Sequence, residues 1–170
     1  MAKRSINRIE MQCPICGRKH EVEEISHKVT TIIKSEKIRY DAYYYICNAA
    51  AEDNEFETGE LLNRNIRNAQ NSYRKVHGLL TTDEIVELRE GYGLTQVELA
   101  NLLGWGEATI SRYESKAIQD ESYDMMLRLI KDNPTYALQL LEKNSLKFTE
   151  TRKTEIRNKI VSKLNIYEIA

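Results

Sequence analysis

Apolar positions follow two rhythms along the 170 residues. Between positions 29 and 46 they are dense, branched or aromatic. Val29-Thr-Thr-Ile-Ile33 and Ile38-Arg-Tyr-Asp-Ala-Tyr-Tyr-Tyr-Ile46 read as strands, with Lys34-Ser35-Glu36 as a hairpin connection. From position 58 the apolar residues recur every three or four positions, the period of a helix with one buried face. Thr58 is placed to cap a long helix with Leu62, Ile66, Ala69, Tyr73 and Val76 as its stripe. Asn63, Arg64, Arg67, Asn68 and Arg74 are then left toward solvent, and His77-Gly78 ends the helix.

Thr81 and Glu84 form a capping box ahead of a helix burying Ile85, Leu88 and Tyr92. Thr95 and Glu98 repeat the device before a helix carrying Leu99, Ala100 and Leu103, which Gly104 ends because glycine tolerates positive φ. After the Gly104-Trp105-Gly106 turn a helix begins at Glu107. Ile110 and Tyr113 turn inward, leaving Glu107, Ala108, Thr109, Ser111 and Arg112 for the outer face. Asp120 caps a helix with Met126, Leu129 and Ile130, and Met125 and Met126 serve as core filler. Asn133-Pro134 starts a fifth helix, with Tyr136, Leu140 and Leu141. A helix, a tight glycine turn and a second helix is the helix-turn-helix pattern, whose second helix enters the DNA major groove.

Either side of this bundle the pattern is weaker. Residues 1–12, mixed and basic, read as a flexible lead-in, and Glu52-Asp53-Asn54-Glu55 as a solvated loop. Thr149 to Ile166 reads as a further helix with Ile156, Ile160 and Leu164 on one face. Arg152, Lys153, Arg157, Lys159 and Lys163 lie mostly on the others. That apolar face has no evident home in the bundle, so it is expected to pack on another chain or a further domain, and its basic residues suit phosphates. Apolar Ile166, Tyr167 and Ile169 close to Ala170 are compatible with truncation.

Charge changes the picture for DNA. The net charge is −1, but residues 79–143 carry six basic and twelve acidic side chains. Phosphate affinity comes from local basic groups and released counterions, so this domain alone should bind weakly. A homodimer presenting two recognition helices fits better. No apolar run approaches a membrane span, and the start MAKRSINRIEM lacks a signal-peptide core. Three cysteines without a secretion signal point to the cytoplasm.

Cys13-Pro14-Ile15-Cys16-Gly17 is half of a zinc knuckle: a tight turn aims two sulfurs at one metal, and Gly17 lets the backbone return. Cys47 supplies a third ligand, carried back by the strands. Position 50, where a second Cys-x-x-Cys would close, holds Ala50, so the fourth ligand falls to His20, His27, Glu52 or Asp53. Zinc, a metal-free packed remnant and thiol redox chemistry are the readings in that order. His27 alone reads as a surface residue of a strand, and the tyrosine triplet as alternating core and surface positions rather than a stacking platform. No Ser/His/Asp arrangement, phosphate-cradling glycine loop or recognisable carboxylate pair is present, so no enzyme is expected.

The segment Leu80 to Lys143 closely resembles the Xre/Cro–phage repressor family. Its Gln-x-x-Leu-Ala core stands as Gln96, Leu99 and Ala100, and its Thr-Ile-Ser-Arg-Tyr-Glu run as Thr109 to Glu114. With the cysteine knuckle ahead of it, residues 11–143 resemble the MqsA/YgiT-type antitoxins, from which the missing cysteine at position 50 is the clearest departure. The resemblance implies an α+β protein. A zinc-ribbon-like β-hairpin module spans residues 1–57 and a linking helix 58–78. An all-α, five-helix Xre-type domain spans 79–144, and a C-terminal amphipathic helix 145–170.

The same resemblance implies a transcriptional repressor, the antitoxin of a type II toxin-antitoxin system. It would autoregulate its operon as a homodimer on a palindromic double-stranded DNA operator, with a toxin protein held by the zinc module. Gln96 would hold a phosphate with help from Ser111. Arg112 would read guanine, Ala108 and Thr109 would offer methyl groups to thymine, and Glu107 would accept from cytosine against phosphate repulsion. The alternatives are an adaptor that neutralises a toxin without specific DNA binding, a stand-alone phage or mobile-element regulator, and an enzyme using Cys13, Cys16 or Cys47.

Overall fold

The computed structural model describes residues 3–50, 54–115 and 117–167, with side chains through residue 164. The chain divides into two compact units, Met1–Val76 and His77–Ala170. The α+β reading holds: an antiparallel sheet precedes a series of helices.

In the first unit, β1 (Arg4–Gln12), β2 (Lys19–Ile33), β3 (Glu36–Ile46) and the short β4 (Glu55–Phe56) form one antiparallel sheet in that order. The lead-in expected to be flexible is strand β1, and β2 begins ten residues before Val29. The two pair from Arg4↔Ser26 to Gln12↔Lys19, with a register shift between Ser5 and Asn7. Polar residues hide this strand because it is an edge. Only Ile9 and Met11 press inward, against Cys13, Val22 and Cys47. Lys34 and Ser35 both take positive φ (47° and 68°), the signature of the two-residue turn that matches strand twist. Of the acidic stretch expected to be a solvated loop, Glu55 is half-buried in β4, while Glu52 and Asp53 lie outside the described residues.

Helix α1 (Gly59–Val76) starts at Thr58, whose Oγ1 accepts from the Leu61 N–H. Its buried face follows the expected stripe only at Ala69 and Tyr73. Leu62, Ile66 and Val76 are 47%, 43% and 69% exposed, while Leu61, Asn65, Ala69, Tyr73 and Arg74 are buried. The cause is the open edge of β3. Strand β4 pairs only Tyr45 and Ile46, so no strand among the described residues covers the outward backbone groups further back. Asn65 answers them: its Oδ1 accepts from Tyr43 N–H and its Nδ2 donates to Tyr43 C=O, both at 2.8 Å. Asn68 Nδ2 donates to Asp41 C=O at 3.1 Å. A carboxamide here stands in for a neighbouring strand, so the helix turns its asparagines to the sheet. Covering an edge with a helix is one way proteins blunt it. Arg74, expected in solvent, is fully buried and donates to Asn71 Oδ1.

In the second unit, α2 (Thr82–Gly91), α3 (Gln96–Leu103), α4 (Ala108–Tyr113), α5 (Glu121–Asp132) and α6 (Pro134–Lys143) form the bundle. Both capping boxes are present, Thr81–Glu84 and Thr95–Glu98, and Gly104 takes φ 74°. Asn133 caps α6, with Pro134 in its first turn. Leu80, Ile85, Leu99, Ala100, Leu102, Ile110, Leu127, Ile130 and Leu141 are fully buried in one core.

The tail does have a home. After a 3₁₀ turn at Ser145–Lys147, α7 (Glu150–Tyr167) buries Ile156 and Ile160 in that same core. The apolar face expected to meet another chain is therefore the sixth wall of the bundle; Leu164 is half-buried. Several of its basic residues are engaged within the unit: Arg152 pairs with Glu98 and Glu155, and Lys153 and Arg157 both pair with Glu142. The side chains of Ile166 and Tyr167, and Ile169 and Ala170 altogether, lie outside the described residues. No helix among the described residues is long and apolar enough to cross a membrane.

Candidate metal centre and nucleic-acid interface

The turn between β1 and β2 is built to converge thiols. Gly17 N–H donates to Cys13 C=O and Cys13 N–H to Arg18 C=O, both at 2.9 Å, and Gly17 takes φ 69°. Cys47 leaves the end of β3 with its N–H on Asn54 C=O at 2.8 Å. The antiparallel register brings it back over the turn. The ligand atoms of Cys13, Cys16, His20 and Cys47 all lie within 4.8 Å of one another. His20 is thus the fourth member. Position 50 needs no cysteine, and half-buried Ala50 packs against the cluster instead. His27 stands apart: it is half-buried, against the Tyr44 ring and 3.7 Å from Glu55.

The donor set fits zinc, which takes thiolate and imidazole ligands in tetrahedral sites. His20 Nδ1 lies 2.7 Å from the Glu21 carbonyl, which can only accept. The ring proton therefore belongs on Nδ1, and the Nε2 lone pair turns to the thiols, 3.8 Å from Cys47 Sγ. Burial raises the Cys13 thiol, but the backbone N–H groups of Cys16 and Ile15 together with the Cys47 and Cys16 thiols leave it below its ordinary value. The Arg18 N–H lowers Cys16, while burial pushes Cys47 up. This Cys3His group can hold a metal such as zinc. The spacing Cys-x-x-Cys-x-x-x-His was legible in the chain, but only the sheet register singles out His20 from the other candidates.

The second unit holds the other site. Trp105 N–H donates to Ala100 C=O and Thr109 N–H to Gly106 C=O, closing the turn between α3 and α4. The Trp105 ring meets Tyr113 edge-on at 6.4 Å and Tyr123 at 4.7 Å, which ties α4 to the turn and to α5. Ile110 is fully buried beneath it. Glu107, Ala108 and Arg112 are exposed, and Thr109 and Ser111 half-buried. Ser111 Oγ donates to Ala108 C=O at 3.0 Å. The Arg112 side chain makes no ion pair or hydrogen bond among the described residues. It borders a hollow of about 260 Å³ with Thr109, Tyr113, Asp120 and Tyr123.

Sequence reasoning missed what lies behind this row. Glu114, 8% exposed, accepts from Arg89 Nε at 2.7 Å, Arg89 Nη2 at 3.2 Å and Gln96 Nε2 at 2.7 Å. Arg89 Nη1 reaches Leu94 C=O at 3.0 Å, and its bond to Glu114 holds the guanidinium charged. A buried carboxylate so satisfied fixes geometry, whereas a lone one would be costly. Gln96, at the start of α3, is thereby anchored to the end of the recognition helix.

This outward row on a braced second helix is the geometry of the helix-turn-helix transcription regulators. One family spans both units at once: the antitoxin component of bacterial toxin-antitoxin systems, MqsA, whose model matches residues 11–142. The chain belongs to that family. It is also similar to the uncharacterized HTH-type transcriptional regulator YiaG of Escherichia coli K12, O6:H1 and O157:H7. Identity is 34% over 67 residues, covering 39% of this chain and 70% of each relative. The relative is named as a transcriptional regulator, and the Cys3His centre lies inside the span that the family matches.

Proposed function

We propose that this protein is a sequence-specific DNA-binding repressor, the antitoxin of a type II toxin-antitoxin system, which represses its own operon from the cytoplasm. The observation that carries the reading is the exposed Arg112 guanidinium on the outer face of α4, without an ion pair or hydrogen bond among the described residues, beside Ala108 and Thr109. A guanidinium with its donors free can grip guanine through two hydrogen bonds, a pairing worth about 1–3 kcal/mol of discrimination. The methyl groups of Ala108 and Thr109 suit thymine. Gln96 holds a phosphate with the N–H that Glu114 leaves free. Ser111 reaches one only by exchanging its bond to Ala108. Glu107 accepts from cytosine and is repelled by phosphate, so its net effect depends on the base it meets.

The acidic balance of residues 79–143 supports a homodimer, since two recognition helices on half-sites about one helical turn apart supply what one cannot. The operator is then palindromic. The first unit, stiffened at its turn by zinc, holds the toxin. The test is a gel shift on the DNA upstream of the protein's own coding sequence, with Arg112→Ala beside wild type. The variant is expected to bind more weakly and lose preference at one position per half-site. An unchanged base preference overturns the assignment of Arg112. No specific shift with wild type favours a toxin-neutralising adaptor.

A further inference from the structure

Helix α7 begins eight residues beyond the span matched by the family, yet it reaches the helix-turn-helix at a critical point. Thr149 caps it: its Oγ1 accepts from Arg152 N–H, and its carbonyl from Lys153 N–H. Ile156 and Ile160, buried in the core, fix the rotation of the helix. Arg152, one turn before Ile156, is thereby aimed at the start of α3. Its Nε donates to Glu98 Oε1 at 2.6 Å and its Nη2 to Glu98 Oε2 at 3.0 Å. The same Nη2 donates to Gly93 C=O at 2.5 Å, and Nη1 to Glu155 at 2.7 Å.

Glu98 is the residue whose carboxylate caps the Thr95 N–H at 2.8 Å. The Gly93–Thr95 turn is therefore held by two arginines. Arg89 of α2 takes the Leu94 carbonyl, and Arg152 of α7 takes the Gly93 carbonyl and the capping carboxylate. The next residue is Gln96, whose amide runs on to Glu114 at the base of the recognition helix. One connected polar lattice thus links α7 to both helices of the motif.

We infer that Arg152 is a positioning residue for DNA binding: through Glu98 and the Gly93–Thr95 turn it sets where Gln96 and the recognition helix meet the duplex. This rests on the DNA-binding reading above. Arg152 does not touch DNA. Its charge is matched by Glu98 and Glu155, so it releases no counterion of its own. A phosphate contact and a positioning residue then differ in one readout, since losing a contact lowers the slope of log affinity against log salt by about one, whereas losing a positioning residue leaves it unchanged.

The experiment uses the full chain and a short duplex selected from a random pool by the wild-type protein, with affinity measured across a salt series. Arg152→Ala is expected to bind about tenfold more weakly with the wild-type slope, the size of a coupling lost within one network. Arg152→Lys, which keeps the charge but cannot span Glu98 and Gly93 together, is expected to recover part of the loss. The double variant Arg152→Ala with Glu98→Gln is expected to be no worse than Arg152→Ala. Wild-type affinity in Arg152→Ala overturns the inference, and so does a slope reduced by one. Arg152→Lys gives the same reading if Arg152→Ala does not fold: affinity equal to wild type overturns the inference. If the wild type selects no duplex, the DNA-binding reading itself has failed and the inference falls with it.

Discussion

Replacing Asn65 with leucine puts the account of the first unit at risk in a way that alanine does not. Read by hydrophobicity alone, an asparagine on the buried face of α1 is a defect, and a leucine there should stabilise by about 1.5–3 kcal/mol. The structure argues the reverse. Asn65 is 3% exposed and makes three hydrogen bonds, to Tyr43 N–H, Tyr43 C=O and Glu57. Leucine leaves the two Tyr43 backbone groups facing an apolar side chain, while the exposed Glu57 carboxylate turns back to water. Each orphaned buried group costs about 1–3 kcal/mol. Two such groups cost about 2–6 kcal/mol; with part-exposed Tyr43 partly recovering water, the loss is about 3–4 kcal/mol, at or above the apolar gain. Asn65→Leu should therefore destabilise the sheet by about 1–2 kcal/mol net, and Asn65→Ala, which gains little apolar contact, by more. Amide hydrogen exchange read by mass spectrometry locates the effect: peptides covering β3 lose protection, while those covering α3 and α4 do not. If Asn65→Leu protects β3 better than wild type, α1 is packed by hydrophobic contact alone and the edge argument is wrong.

Two further outcomes follow from the same structure. Purified protein should carry one zinc per chain. His20→Ala should weaken its affinity at least about tenfold, the lower end of what even an outer-shell loss does, while His20→Cys should keep it; a competitive chelator titration decides, and unchanged affinity in His20→Ala removes His20 from the site. The bond from Arg152, then the Thr95 N–H, holds Glu98 below its ordinary value of 4.5. A carboxyl lowered in the folded state stabilises above its unfolded value, and that stability is lost as pH falls through the folded value. Acid unfolding of the second unit, followed by emission of the single tryptophan, should therefore begin at higher pH in Arg152→Ala than in wild type.

The legible parts of the chain were those where local chemistry and tertiary packing agree. The Thr95–Glu98 box, the Gly104 turn and buried Ile110 are set by residues three or four apart, and each stands as read. The edge strand β1 was illegible for the opposite reason. Only Ile9 and Met11 carry an inward signal, and the pairing that makes it a strand is supplied by β2, not by its own composition. The fourth ligand lay between these cases. Its spacing was visible, but several candidates were equivalent until the register fixed which one faces Cys47.

Asn65 and Arg152 mark a sharper limit. Both are polar residues whose partners lie at long sequence separation, 22 residues for Asn65 and 54 for Arg152. Periodicity assigns such residues to solvent, because it counts a polar group as a cost of burial and cannot see a partner that removes the cost. Asn65 is buried because an unpaired strand edge needs a donor and an acceptor side by side, which no apolar residue provides. Arg152 is drawn in because the Gly93 carbonyl and a capping carboxylate converge where α7 docks, and Ile156 and Ile160 had already fixed that docking. For α7 the apolar pattern placed the helix and an unmet backbone group selected the polar side chain that faces inward; for α1 the unmet edge groups helped set which face turns inward.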